Sequence, residues 1–221
     1  MKHDKCEMLE GFLTTGSVAA RNHVLLAHGA GAPMTSPFMT AMADKLAAGG
    51  LCCHRFEFAY MAGRRTGGSR RPPPRAEALM ASYEQAVDAW HEIGLQNSRL
   101  FIGGKSLGGR VASLVAGALH GSGKAAGLIC LGYPFHPPGR PDKLRTAHLL
   151  DFDLPALMVQ GTRDPLGTRD EIATYKLARA IRFHWVEGGN HDLKPPSKGG
   201  RTHDHELETV AAAIAQFTAS A

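Results

Sequence analysis

The feature that most constrains this chain is a short apolar run that leads directly into a glycine-flanked serine. Residues 100–102, Leu-Phe-Ile, predict a buried strand. Residues 104–108, Gly-Lys-Ser-Leu-Gly, follow and fit the pattern G-x-S-x-G. An apolar periodicity typical of a helix begins at once, and its members are Val111, Leu114, Val115 and Leu119. Strand, tight turn and helix form the context that G-x-S-x-G needs when its serine is a nucleophile.

The two glycines have a physical reason. A serine on a sharp strand-to-helix turn has a strained backbone, and neighbouring side chains would collide with it. Gly104 and Gly108 remove the Cβ atom on both sides of Ser106. The turn then raises the Ser106 hydroxyl above the sheet edge and directs the first N–H groups of the helix toward its target. Ser106 is therefore the candidate nucleophile.

A phosphate-binding loop is the alternative interpretation of the same residues. Gly104, Lys105 and Ser106 match the end of the pattern G-x-x-x-x-G-K-[ST], which also needs a glycine at position 99. That position is Arg99, and residues 100–102 are strand-like where a phosphate cradle needs a loop. Both observations argue against a phosphate-binding loop. We expect the Lys105 side chain, beside the nucleophile, to face away from the site.

Length and composition favour one α/β domain over residues 1–221. The 221 residues include 43% hydrophobic ones, enough for a sizeable core, and the formal charge is +5. Much of the positive charge falls in one stretch, at Arg64, Arg65, Arg70, Arg71 and Arg75. A solvated loop is the favoured interpretation, and a patch that attracts an anionic substrate is the alternative. Aromatic residues are not interleaved with the arginines, which argues against nucleic acid as a partner.

The cysteines and the apolar runs bear on the compartment. The chain has four cysteines (Cys6, Cys52, Cys53 and Cys130), and none forms a C-x-x-C pair. A disulfide framework is not expected, so a reducing compartment fits. The N-terminus has no apolar core of a signal peptide, and no run reaches the ~18 apolar residues of a membrane span. We expect a soluble cytoplasmic protein with no membrane partner; its oligomeric state is open.

Strands and helices alternate along the chain. Besides residues 100–102, strands are predicted at 11–15 (a short edge strand), 23–27, 51–58, 125–131, 155–160 and 181–186. Besides the helix after Gly108, helices are predicted at 38–46, 79–93 and 207–217. This order predicts a doubly wound, mostly parallel sheet flanked by helices. Residues 61–75 are expected to lack regular structure, and residues 134–154 are too few for a large lid domain.

Loops that follow the strands supply further candidate residues. Residues 28–33, His-Gly-Ala-Gly-Ala-Pro, allow backbone N–H groups to approach a ligand closely. With a G-x-S-x-G turn downstream, an N–H from this loop and the N–H after the nucleophile form an oxyanion hole. Ala30, with Gly31 as the other candidate, and Leu107 fit these two positions. Candidate substrate contacts are Gly31, Arg64, Arg71 and Tyr133.

A serine hydroxyl needs a base, and the base needs an acid to orient it. Asp164 lies just beyond the strand at 155–160, where the acid is expected. Asp170 is the other candidate, but Thr168 and Glu171 have the spacing of a capping box, which explains Asp170 as part of a first helical turn. His191 follows the last strand after two glycines and is the candidate general base.

A metal site is not predicted. Residues 203–206, His-Asp-His-Glu, together with His191 and Asp192, hold several potential ligands. A His-x-His pair is weak evidence, and the spacing fixes no third ligand. No cofactor is expected.

Six stretches together resemble the α/β-hydrolase superfamily, and more narrowly its dienelactone-hydrolase-like branch, which includes the testis-expressed-30-like proteins. They are residues 27–32, 64–75, 103–109, 132–134, 160–164 and 189–191. The resemblance spans about residues 23–217 and implies the fold and a Ser-Asp-His triad of Ser106, Asp164 and His191. Dienelactone hydrolases proper use a cysteine nucleophile, whereas this chain has Ser106. The resemblance therefore does not imply dienelactone as the substrate.

These patterns predict a serine hydrolase that acts on an ester, a thioester or a related acyl bond of a small molecule. The alternative is a non-catalytic interaction protein on the same scaffold, because a fold alone does not guarantee chemistry. A complete candidate triad in the expected chain order favours the enzyme.

Overall fold

The computed structural model describes residues 7–9, 11–65, 67, 72–95, 97–198 and 200–221. Its strands are β1 (Glu7–Leu9), β2 (Phe12–Thr15), β3 (Asn22–Ala27), β4 (Cys52–Phe56), β5 (Arg99–Lys105), β6 (Gly127–Leu131), β7 (Ala156–Gly161) and β8 (Ile181–Val186). Its helices are α1 (Pro37–Ala48), α2 (Ala59–Arg65), α3 (Met80–Glu92), α4 (Leu107–Gly121), α5 (Arg169–Ile172) and α6 (His203–Ser220). Single 3₁₀ turns occur at Ala76–Leu79 and Ala147–Leu149.

The eight strands form one sheet in the order β1-β2-β4-β3-β5-β6-β7-β8. The pairs β1–β2 and β2–β4 are antiparallel, and all other neighbours are parallel. The predicted doubly wound, mostly parallel sheet is confirmed. The chain moves from β3 outward to β4 and then returns to the other side of β3 to form β5. This reversal opens a crevice at the carboxyl ends of β3 and β5, where open α/β sheets bind ligands.

Helices cover both faces of the sheet, and alternate residues of each strand pack against the helices on opposite faces. Val24 and Leu26 on β3 pack with buried residues of α1 and α6, such as Met42 and Ile214. Leu25, one position between them, packs with buried residues of α3 and α4 on the other face. Successive strand residues point to opposite faces, so each apolar strand fills two cores.

The first turn of α4 packs unusually close to the end of β3. A Cβ atom on Gly108 would collide with the backbone of Ala27 and His28, and one on Gly104 would lie 2.5 Å from the Ala27 carbonyl oxygen. Only glycine at these positions allows the two backbones to approach this closely. The contact places Ser106 directly beside the loop that follows β3.

Two expectations about the chain outside the central strands are wrong. The strand predicted at residues 11–15 exists as β2, but it is not at the sheet edge, because β1 pairs along its outer side. Residues 61–65, expected to be irregular, belong to helix α2. That prediction was based on the prolines and glycines of residues 66–75. Within residues 61–65 the one glycine is Gly63, and there is no proline.

Residues 134–154 carry one 3₁₀ turn and no inserted domain, as predicted. Within the described ranges, no helix is both long enough and apolar enough to cross a bilayer. The described cysteines, Cys52, Cys53 and Cys130, are all buried, whereas Cys6 lies outside the described residues.

A chain of buried polar side chains crosses the amino end of the sheet. Thr14 Oγ1 lies 2.9 Å from His54 Nδ1, His54 Nε2 lies 2.9 Å from His23 Nδ1, and His23 Nε2 lies 2.8 Å from the Ala20 carbonyl oxygen. A carbonyl accepts only, so the protons run in one direction: Thr14 donates to His54, which donates to His23, which donates to Ala20. Cys52 Sγ lies 3.5 Å from His54 Nε2. Because every ring nitrogen already has a protein partner, both histidines are stable here in the neutral form.

This buried chain makes stability depend on pH. Burial lowers the pKa of His54 to about 3, and the repulsion that His23 would exert if both rings were protonated acts in the same direction, whereas an unfolded histidine titrates near ~6.5. Between these values the unfolded state binds more protons, so the free energy of unfolding falls as pH falls, by up to about 1.4 kcal/mol per pH unit. We expect His54→Gln to make this dependence shallower between about pH 6.5 and pH 5, as measured by urea unfolding. His205→Gln, at an exposed histidine, is the control, and equal slopes in all three proteins would contradict the prediction.

The close packing of α4 on β3 gives a second stability prediction. Gly108→Ala should lower the free energy of unfolding by about 3 kcal/mol, because the added methyl group meets backbone that cannot move aside. Gly117 is the matched control, since it is exposed on the same helix and a Cβ there would meet nothing within 4 Å. Gly117→Ala should raise stability by about 0.5–1 kcal/mol through helix propensity. Urea unfolding of the wild type and both variants measures these changes in stability. A Gly108→Ala variant as stable as the wild type would contradict the prediction.

Candidate active site

Ser106 occupies the turn between β5 and α4 in a left-handed backbone conformation. Its φ is 50° and its ψ is −111°, a combination that side-chain-bearing residues rarely adopt. The turn is held by a hydrogen bond of 3.0 Å from the Ser106 N–H to the Leu131 carbonyl oxygen on β6. The strand and the helix predicted around G-x-S-x-G are both present, and together they present the Ser106 hydroxyl above the carboxyl edge of the sheet.

The structure brings the three residues of the predicted triad together. His191 Nε2 lies 2.8 Å from Ser106 Oγ, and His191 Nδ1 lies 2.8 Å from Asp164 Oδ2. Asp164 is fully buried, while His191 is partly exposed. A carboxylate accepts hydrogen bonds, so Nδ1 carries the proton and Nε2 is free to accept one from the serine hydroxyl.

Asp164 is held by residues that sequence analysis did not single out. Gln160 Nε2 donates to Asp164 Oδ2 over 2.9 Å, and the Leu166 N–H donates to Oδ1 over 2.8 Å. These bonds fix the carboxylate and satisfy both of its oxygens. The sequence signal for Gln160 is that it is a polar residue within the apolar strand β7. That signal does not reveal that its partner is Asp164.

The loops that carry Asp164 and His191 are bonded to each other. The Arg163 N–H donates to the Gly189 carbonyl oxygen over 3.0 Å, and the Gly188 N–H donates to Thr162 Oγ1 over 2.8 Å. The parallel neighbours β7 and β8 end side by side, so the loops that follow them start close together. The distance between Asp164 and His191 is therefore fixed by backbone as well as by side chains.

The Ala30 and Leu107 N–H groups, predicted to form an oxyanion hole, donate to no group of the described protein. Leu107 is the first residue of α4, so its N–H has no partner within the helix. The loop carrying Ala30 is held by the buried His28, which accepts from the Phe58 N–H at 3.1 Å and donates to the Gly29 carbonyl oxygen at 2.7 Å.

The expectation that Lys105 faces away from the site is wrong. Lys105 Nζ donates to the His191 carbonyl oxygen over 2.7 Å and lies 3.3 Å from Asp192 Oδ1. The side chain is buried, and burial lowers the pKa of Lys105 while the nearby Asp192 carboxylate acts in the opposite direction. The strand preceding Ser106 directs this side chain under the His191 loop, so the lysine joins the Ser106 turn to the His191 loop.

A cavity of about 330 Å³ opens beside Ser106. Its walls are mainly apolar and include Ala32, Phe38 and Met39. The predicted contact Gly31, next to Ala32 in the loop after β3, also lines it. His191 and Lys105 lie at its polar end. A cavity with apolar walls and a few converging polar groups is the usual form of a small-molecule site.

Among the described residues, the other predicted substrate contacts, Arg64 and Tyr133, do not line this cavity. Arg64 lies over the Tyr60 ring, 5.3 Å from its centroid, and its Nη1 donates to the Ala30 carbonyl oxygen over 3.5 Å. Arg71 lies outside the described residues. Tyr133 is fully buried, and its hydroxyl donates to the Arg145 carbonyl oxygen over 2.8 Å. The Tyr133 side chain therefore packs in the core and does not line the cavity beside Ser106, and a contact of Tyr133 with substrate stays a prediction.

Asp170, the alternative to Asp164, and the carboxylates considered as metal ligands have other structural roles. Asp170 lies in the first turn of α5, behind the capping box of Thr168 and Glu171 that the spacing predicts. In the region 203–206, Asp204 Oδ1 lies 2.8 Å from Lys45 Nζ, and Glu206 Oε1 lies 3.1 Å from Arg201 Nη1. These carboxylates have cationic side chains as partners.

Comparison with known proteins supports the resemblance seen in the sequence. A model of the alpha/beta hydrolase domain matches residues 20–219. The structure is similar to a dienelactone hydrolase from Anabaena variabilis at 21% identity, with a TM-score of 0.67 over 94% of this chain and 89% of that chain. It is also similar to an alpha-beta serine hydrolase homologue from Coxiella burnetii at 18% identity, with a TM-score of 0.66 over 97% and 98% of the two chains.

A third similar structure is an a/b serine hydrolase without lid from Xanthomonas campestris, at 16% identity and a TM-score of 0.65 over 91% of this chain and 82% of that chain. At these identities the likenesses establish the fold. The domain match covers most of the sequence, and the sheet order and the serine turn agree with it. The chain therefore belongs to the alpha/beta hydrolase family, with a dienelactone-hydrolase-like fold.

Proposed function

We propose that this protein is a serine hydrolase that cleaves an ester, a thioester or a related acyl bond through a covalent acyl-enzyme. The observation that carries the proposal is the continuous hydrogen-bonded chain from Ser106 through His191 to Asp164, with both bonds at 2.8 Å. Nucleophile, base and orienting acid in hydrogen-bond contact are the arrangement that activates a serine hydroxyl. Two of the similar structures are described as serine hydrolases, which agrees with this chemistry.

The reaction follows from the geometry. His191 Nε2 accepts the Ser106 proton while Ser106 Oγ bonds to the carbonyl carbon. The N–H groups of Ala30 and Leu107 donate to the oxygen that becomes negative, and each such donor lowers the barrier by about 3 kcal/mol. His191 then returns the proton to the leaving group as its bond to carbon breaks.

Asp164 supports both steps of this reaction. Its buried carboxylate keeps the proton of His191 on Nδ1 and stabilises the imidazolium that forms. In the second half of the reaction, His191 takes a proton from water, and the resulting hydroxide bonds to the acyl carbon. The bond from that carbon to Ser106 Oγ then breaks as His191 gives its proton to Oγ. The products are an acid and an alcohol or thiol.

A fluorophosphonate probe and p-nitrophenyl butyrate test the nucleophile directly. The wild type should be labelled and should hydrolyse the ester, whereas Ser106→Ala should lose labelling and lower kcat/KM by roughly 10⁴-fold or more. Ser122→Ala is the control, because Ser122 is exposed at the far end of α4. Absence of labelling in folded wild type would contradict the proposal and favour the non-catalytic interaction protein.

The position of Lys105 predicts a role in positioning the base. Lys105→Met keeps the length of the side chain and removes the bond to the His191 carbonyl oxygen. Small displacements of a catalytic group are costly, so we expect kcat to fall about tenfold while KM changes less than about twofold. The rate of fluorophosphonate labelling should fall in parallel.

Asp192→Asn is the companion variant. It removes the ion pair with Lys105 and leaves the bond from Lys105 to the His191 carbonyl oxygen available, so its effect on kcat should be smaller. A rise in KM without a fall in kcat for Lys105→Met would contradict the positioning role. Equal falls in kcat for the two variants would contradict it as well.

A further inference from the structure

A second cavity, of about 360 Å³, meets the first at the nucleophile. Ser106 and Ala30 line both cavities, while the remaining walls differ. The second cavity is bounded by Pro73 and Pro74 on one side and by residues of the loops after β6 and β7 on others. A substrate whose carbonyl lies at Ser106 can therefore extend in two directions.

The second cavity, here called the arginine cavity, is lined by Arg75, Arg110 and Arg145. Arg110 Nη2 lies 2.6 Å from Glu77 Oε1, and the buried Nε–H of Arg110 has no partner among the described residues. The guanidinium groups of Arg75 and Arg145 form no ion pair or hydrogen bond within the described part of the chain. Among these three guanidinium groups, only that of Arg110 is therefore paired with a carboxylate of the described residues, and the Glu77 side chain that pairs with it is half exposed.

The three cations are close enough to influence the same groups. A hydrogen bond from its own backbone N–H lowers the pKa of Glu77, and the charges of Arg110, Arg75 and Arg145 lower it further. Burial lowers the pKa of Arg145, and the charge of Arg110 adds to this effect. Like charges held together against apolar walls are unfavourable on their own. A bound anion would offset this cost, and guanidinium groups match carboxylates with paired hydrogen bonds.

The position of His191 indicates which half of the substrate enters this cavity. His191 lines the first cavity and not the arginine cavity. The leaving group takes its proton from His191 Nε2, so it must lie on the side of the first cavity. The acyl group, which stays on Ser106 Oγ after the first step, then extends into the arginine cavity.

We infer that the arginine cavity binds a carboxylate at the far end of the acyl group, so that the preferred substrates are half-esters or half-thioesters of dicarboxylic acids. This inference rests on the proposed function for the cleavage step. The distal carboxylate makes and breaks no bond, and cleavage of a half-ester gives an alcohol and a diacid. The proposed anion site shares Arg75 with the arginine-rich stretch of the sequence, and Arg64 is not among its lining residues.

Two matched substrates test the inference. The p-nitrophenyl half-ester of adipic acid carries a free carboxylate, and its methyl ester is nearly identical in length and neutral. The wild type should show a kcat/KM ratio of charged to neutral substrate of at least about tenfold, the expected size for a paired guanidinium–carboxylate contact. Arg145→Gln and Arg75→Gln should each bring this ratio toward one, and Arg145→Lys should keep part of it.

Arg140→Gln is the control for loss of a positive charge in the same loop. Arg140 is exposed, pairs with Asp142 and does not line the cavity, so this variant should retain the wild-type ratio. A ratio near one in the wild type, or a ratio unchanged by both Arg145→Gln and Arg75→Gln, would overturn the inference.

Direct binding separates this inference from the proposed function. In the Ser106→Ala background, calorimetry should detect adipate binding, and adding Arg145→Gln should weaken it about tenfold. Hydrolysis of the neutral ester without charge preference or adipate binding would overturn the anion site and leave the hydrolase standing. Adipate binding that depends on Arg145, in a wild type that cleaves no ester, would support the anion site and overturn the hydrolase.

Discussion

The close approach of α4 to the end of β3 is the contact on which the candidate site depends. It brings the Ser106 turn against the loop that carries Ala30, so the Ser106 hydroxyl and the Ala30 N–H group have a fixed separation. Gly104 and Gly108 make this approach possible because a side chain at either position would meet backbone. The strained Ser106 backbone persists because β5, β6 and α4 hold it from three sides.

Parallel strands explain how residues distant in the sequence meet. Ser106, Asp164 and His191 follow β5, β7 and β8, whose carboxyl ends lie along one edge of the sheet. This arrangement made the three residues predictable from the sequence, since apolar runs mark the strands and the residues just beyond them define the edge. The same logic located the Ala30 loop, and the capping-box spacing correctly separated Asp170 from Asp164.

Prediction failed where side-chain direction or distant partners decide the outcome. Lysine side chains are mostly exposed, yet Lys105 lies under the His191 loop because the carbonyl and carboxylate oxygens there satisfy its charge. Gln160 carries no local signal of its contact with Asp164. The grouping of Arg75, Arg110 and Arg145 depends on three separate segments meeting in space, and no periodicity in the sequence records that.

The two cavities at Ser106 are built from different parts of the chain. The first takes its distinctive walls from the start of α1 and the His191 loop, and the second takes them from the proline-rich segment before α3 and the loops after β6 and β7. Among the described residues, only Ser106 and Ala30 line both cavities. Because the two sets of loops are separate, substitutions in one set can reshape one cavity while Ser106, Ala30 and the walls of the other cavity stay unchanged.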